Sequence, residues 1–157
     1  MRILSLSAAL LVSLTALPLR ADVQTYCSTA PNSVGPGAIL DWFGPSNPQF
    51  GSLLVAGAPA DVPAMFVYGL ASQQVPFGDG YSCIAGANWI LARRTTDAQG
   101  ALSLRIWGEG EGEDLQWLTH PQNWGATWYF QALYRDPLGP LGSGLNATQG
   151  LAVEFTP

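Results

Sequence analysis

Residues 125–137, GATWYFQALYRDP, constrain the fold more than any other stretch. Between Thr127 and Arg135 no glycine or proline interrupts a run that carries Trp128, Tyr129, Phe130 and Tyr134. Aromatic and β-branched residues suit a pleated, half-buried surface, and Gly125 at one end with Asp136-Pro137 at the other punctuates the run. The spacing predicts a long strand. Successive strand side chains point to opposite faces, so Trp128, Phe130, Ala132 and Tyr134 line one side. Thr127, Tyr129, Gln131, Leu133 and Arg135 line the other. The first set suits a core, while Gln131 and Arg135 turn the second toward solvent or a polar seam. Such a strand belongs at the centre of an all-β domain.

The remaining body reads as shorter strands between turn signals. Residues 38–43 (AILDWF) are bounded by Gly35-Pro36-Gly37 and Gly44-Pro45, and 52–56 (SLLVA) end at Gly57-Ala58-Pro59. Residues 64–70 (AMFVYGL) follow Pro63, with Gly69 placed as a bulge. Residues 81–85 and 89–93 (WILAR) form two further runs. A turn over 97–100 leads into 101–107 (ALSLRIW), which alternates, and 151–155 (LAVEF) close the chain. No stretch shows convincing helical amphipathicity. Seven or eight antiparallel strands in a β-sandwich are expected. The 18 glycines and 12 prolines fit turns rather than disorder, because apolar runs persist throughout.

Residues 1–21 read as a secretory signal peptide: Arg2, then an apolar run, a break at Pro18 and a small residue, Ala21, before Asp22. The run is too short and too soon broken for a membrane span. Residues 22–157 are then one domain, secreted or held in the periplasm or cell envelope. All six basic residues are arginine and the net charge is −5. An anionic chain without a basic patch is a poor partner for nucleic acid or anionic lipid, because phosphates demand cations. Cys27 and Cys83 are the only cysteines. In an exported chain they are expected to pair, and closing so long a loop contributes roughly 4 kcal/mol on the chain-entropy view.

Residues 108–114 (GEGEGED) gather Glu109, Glu111, Glu113 and Asp114 between Trp107 and Trp117. Hard carboxylate oxygens on a glycine-rich loop are Ca²⁺ ligands by type, but the spacing follows no calcium loop, and a solvated acidic hairpin is the plainer reading. His120, the sole histidine, precedes Pro121 in a loop, and no G-x-S-x-G nucleophile turn accompanies it. His and Cys clusters for a catalytic metal and a cationic phosphate loop are also missing from the sequence. The chain is therefore expected to be non-catalytic and to need no cofactor. Aromatic faces can stack on the apolar faces of sugar rings. Trp107, Trp117 and Trp124 are the candidates for that role, while Trp128 belongs to the core. Asn146-Ala147-Thr148 spells a glycosylation sequon but reads as a turn into the last strand.

Several spaced motifs carry a resemblance. They are Tyr26-Cys27, Asn32-Ser33, Pro76-Phe77-Gly78-x-Gly80 leading to Cys83-Ile84, and Arg93-Arg94 before Asp97-x-x-Gly100. Thr127-Trp128, Phe130-Gln131, Tyr134-Arg135-Asp136-Pro137, Leu145-Asn146 and the closing LAVEFTP complete the set. Over essentially all of residues 22–157 the chain resembles C-terminal all-β domains of secreted proteins of planctomycetes and related bacteria. The resemblance implies a secreted all-β module with a Cys27–Cys83 bridge and carries over no known catalytic residues. Together these readings predict a non-catalytic module that meets a protein or glycan at the cell surface. The alternative is a carbohydrate-binding module using Trp107, Trp117 or Trp124, assisted by Ca²⁺ at the acidic loop.

Overall fold

The computed structural model of the chain describes residues 23–47, 49–106 and 120–156. The expected signal peptide and the stretch from Trp107 through Trp117 lie outside them. Nine strands occur among the described residues: β1 (Val23–Tyr26), β2 (Ile39–Phe43), β3 (Ser52–Ala56), β4 (Pro63–Phe77), β5 (Gly80–Thr95), β6 (Leu102–Arg105), β7 (Thr127–Asp136), β8 (Gly144–Ala147) and β9 (Gly150–Glu154). A large sheet runs β1-β9-β7-β4-β5 with β8 also on β7, and a small one runs β2-β3-β6. Every pairing is antiparallel. The two sheets pack as the expected β-sandwich. No helix of the described residues is long and apolar enough to cross a membrane.

The aromatic strand is central. β7 pairs β4 along one edge, and shares the other between β9 at Thr127–Phe130 and β8 at Leu133–Asp136. Its alternation is as predicted: Trp128, Phe130, Ala132 and Tyr134 are all buried in the space between the sheets. Phe66 and Tyr68 of β4 and Leu151 and Val153 of β9 join them, facing Leu40, Leu53, Val55 and Leu104 of the small sheet. Burying a side chain such as Phe66 or Phe130 contributes about 1.5–3 kcal/mol. Trp42 closes one margin of this core, its ring 6.3 Å from Phe130 and 6.0 Å from Phe155, and its indole N–H donates to the Pro45 carbonyl. Only glycine fits at 51, because a Cβ there would enter the Trp42 ring.

The structure departs from expectation mainly at one hairpin. Residues expected as three separate strands form two long ones, β4 and β5, joined at Gly78-Asp79. The pairing slips between Phe66 and Val67, between Gly69 and Ala71, and between Ser72 and Val75. Bulges of this kind bend a ribbon and raise its twist. They let the distal half curl back over the face of β7 that points away from the sandwich core. Gly69 sits in one of these slips, as expected, with Ile84 packed where its side chain would be. β1 and β8, short strands without clear alternation, complete the large sheet.

Candidate functional site

The face of β7 that turns away from the core is covered at its middle, while Thr127 and Arg135 at its ends are exposed. Gln131 is 1% exposed there, so the polar-seam reading holds for it. Its Oε1 accepts the Cys83 N–H at 3.0 Å, and its Nε2 donates to the carbonyls of Tyr81 at 2.7 Å and Thr148 at 2.8 Å. One amide thereby satisfies both hairpin and sheet, using both of its donor hydrogens. Beside it Cys27 and Cys83 form the expected disulfide, Cα atoms 5.9 Å apart and 56 residues apart in sequence. The Tyr26 hydroxyl donates to the Cys83 carbonyl at 2.9 Å. Burial, reinforced by Tyr129, pushes that phenol above its ordinary range.

At the hairpin tip, Asp79 braces a neighbouring loop. Asp136-Pro137-Leu138-Gly139 and Gly139-Pro140-Leu141-Gly142 are two successive β-turns, closed by Gly139 N–H to Asp136 O (2.9 Å) and Gly142 N–H to Gly139 O (3.0 Å). Proline at the second turn position presets the backbone in each. The Asp79 carboxylate accepts the N–H groups of Leu141 (3.2 Å) and Ser143 (3.0 Å). The Ser143 side chain first, with these backbone donors behind it, holds the Asp79 carboxyl below its usual range despite the opposing effect of desolvation. Asp136 Oδ2 accepts the Ser33 N–H, and a side chain at Gly139 would run into both carboxylates. The loop is rigidly seated, yet Leu138 is 84% and Leu141 77% exposed.

Two recesses open on this outer side. A polar one of about 330 Å³ is lined by Gln24, Tyr26, Ser72, Thr127, Tyr129 and Glu154, with Tyr26 and Tyr129 edge-to-face at 5.3 Å. An apolar one of about 260 Å³ is walled by Met65, Phe77, Leu133 and Leu145 and bordered by Arg93, Arg94 and Arg135. Strand register sets Met65 opposite both Arg93 and Leu133, and Arg135 opposite Leu145, which brings Arg135 toward the adjacent pair Arg93-Arg94.

Of the residues singled out from sequence, Trp124 is exposed and follows a short 3₁₀ turn, Pro121–Asn123. Trp107, Trp117, Glu109, Glu111, Glu113 and Asp114 lie outside the described residues. His120 is exposed, and its Nδ1 accepts the Gln122 N–H. Asn146 of the sequon is fully buried and donates to the Pro31 carbonyl, and Thr148 is fully buried as well. Among the described residues no three His, Cys, Asp or Glu side chains come together to hold a metal. Sequence reading missed Asp79 and the approach of Arg135 to Arg93-Arg94, and took Asp136 only as a strand end and a motif residue, without its bond from Ser33. Compared with known proteins, the chain matches no family model, no curated protein and no solved structure.

Proposed function

We propose that this chain is an exported, non-catalytic interaction module that docks on a protein partner at the cell surface or within the envelope. The observation that carries the reading is the pair of turns presenting Leu138 and Leu141. Isolated exposed leucines are ordinary. Two on a loop fixed by its own turn bonds and by Asp79 are different, because a preorganised loop loses little entropy when it binds. The disulfide fits an oxidising compartment, and the resemblance to secreted planctomycete domains points the same way. Replacing both leucines, Leu138→Asp with Leu141→Asp, leaves the buried bracing untouched. The double variant is expected to lose retention on envelope fractions while keeping its melting temperature. Unchanged retention contradicts the proposal.

A second reading rests on the polar recess. Tyr26 and Tyr129 offer ring surface and Glu154, Gln24 and Thr127 offer hydroxyl partners, with exposed Trp124 elsewhere on the chain. That is carbohydrate chemistry. Titrating a polysaccharide panel with and without Ca²⁺ against tryptophan fluorescence tests it. A saturable response abolished by Tyr129→Ala or Trp124→Ala supports glycan binding, and a flat response across the panel rejects it.

A further inference from the structure

At the end of β7 the fully buried carboxylate of Asp136 uses only one of its oxygens. Oδ2 accepts the Ser33 N–H at 3.1 Å, whereas Oδ1, equally buried, accepts no hydrogen bond among the described residues. A buried polar atom without a partner is rare in a folded chain and calls for a cause, of which reactivity is one. The next residue is Pro137, and this is the only Asp-Pro pair in the sequence. Proline makes the bond between them a tertiary amide, whose nitrogen has no hydrogen. Once protonated, such a nitrogen leaves more readily than that of an ordinary peptide. Pro137 is exposed, so solvent reaches the leaving side. The Asp136 carbonyl oxygen accepts the Gly139 N–H at 2.9 Å, the contact that closes the first turn. A nucleophile, a polarised carbonyl and a good leaving nitrogen thus meet at one peptide bond.

We propose that the chain cuts itself between Asp136 and Pro137. Asp136 Oδ1 attacks the carbonyl carbon of its own residue, closing a five-membered ring through Cα, Cβ and Cγ. Ser33 anchors the carboxylate by Oδ2, which leaves Oδ1 as the attacking atom, and burial spares Oδ1 the hydration that would blunt it. The Gly139 N–H, already on the carbonyl oxygen, stabilises the negative charge that develops there. The C–N bond then breaks, its electron pair goes to the Pro137 nitrogen, and a proton from solvent joins that nitrogen. Asp136 is left as a cyclic anhydride, which one water opens to two carboxyl groups. The sum is hydrolysis of one peptide bond, a single event in the chain itself rather than turnover of a separate substrate. Asp79 from the β4–β5 tip and the Tyr134 phenol of β7 are ionisable groups that face the Asp136 carboxylate. The two pieces stay together after the cut: the one beginning at Pro137 contains β8 and β9, and β9 is hydrogen-bonded between β1 and β7. Such a cut does not depend on any docking by Leu138 and Leu141.

The experiment incubates the purified, oxidised protein in a mildly acidic buffer in which its melting curve shows it folded. Mass spectrometry under denaturing conditions then follows a piece whose first residue is Pro137. A synthetic peptide of residues 133–140 at the same pH gives the rate of this bond without the fold. Cleavage in the folded chain is expected to be about tenfold faster than in the peptide, the share due to the fixed carboxylate and the Gly139 donor. Asp136→Ala is expected to abolish the cut. Because Asp136 is buried, the companion variant is Pro137→Ala at an exposed position, which is expected to stay folded and to lose the cut, its bond being an ordinary secondary amide. A contaminating protease would still cleave that variant, so undiminished cleavage of Pro137→Ala overturns the proposal. A chain that stays intact overturns it too, as does one that cuts no faster than the peptide.

Discussion

On the inner face of β7, Trp128, Phe130, Ala132 and Tyr134 meet apolar partners from both sheets; on its outer face, Gln131 meets the backbone of a hairpin stapled there by Cys27–Cys83. The inner side is held by area. Its contacts are non-directional, and losing one large side chain leaves a cavity that neighbours only partly fill. The outer side is held by a few directional bonds, each tied to a named donor and acceptor. Such bonds contribute less each, but a buried group left without its partner costs about 1–3 kcal/mol. The first face makes the domain stable. The second fixes where the hairpin tip lies, and with it Asp79, the Leu138–Leu141 loop and both outer recesses.

This contrast is breakable at graded points. Phe130→Ala is expected to destabilise by about 3–5 kcal/mol in denaturant unfolding, the largest single effect, because Phe130 is fully buried at the centre of the inner core. Removing the bridge with Cys27→Ser and Cys83→Ser is expected to cost roughly 2–4 kcal/mol, most of it as freedom regained by the unfolded chain. Tyr26→Phe removes only the hydroxyl that reaches the Cys83 carbonyl and should cost about 1 kcal/mol. An effect of Tyr26→Phe as large as that of Phe130→Ala would erase the distinction between the faces.

The smallest effect is confined to acid. The folded pKa of Asp79 lies below its unfolded value, so the group adds stability that is fully present above the usual carboxylate range. That stability is lost as the pH falls through the folded value. Asp79→Asn is therefore expected to unfold with a flatter dependence on pH in that acid window than the parent, with little difference between them in how neutral pH changes act. Melting curves across the window read the slope directly, and parallel profiles would remove Asp79 from the account.

The inner face was legible in the sequence because period-2 alternation in residues 127–135 is a local signal, and local signals survive folding. The disulfide was legible because compartment and cysteine number leave one pairing. The hairpin was not. Gly69 reads as a bulge and is one, but Gly86 and the polar run Ser72-Gln73-Gln74 between the apolar stretches look like breaks between strands, yet they fall at bulges inside them. β8 was hidden because it is only four residues long and gains its order from β7 rather than from its own pattern. The arginine border was hidden for a different reason. It exists only through the register that places Met65 beside Arg93 and Leu133, and register between distant strands leaves no mark in composition or net charge. Motif residues noted for their resemblance now have a shared physical place: Tyr26, Cys27, Cys83 and Gln131 meet in the seam, and Ser33 and Asp136 meet beside Asp79.

The most direct test is hydrogen exchange on the native protein before and after reduction of the disulfide. Three sets of amides matter: Cys83, which donates to Gln131; Leu141 and Ser143, which donate to Asp79; and Phe130, which lies in the β7 ladder. If the outer layer is a separately held unit that positions the loop, reduction speeds exchange at Cys83, Leu141 and Ser143 while Phe130 stays protected. Equal loss of protection at Phe130 would show one cooperative unit instead, and the division between the two faces would fall.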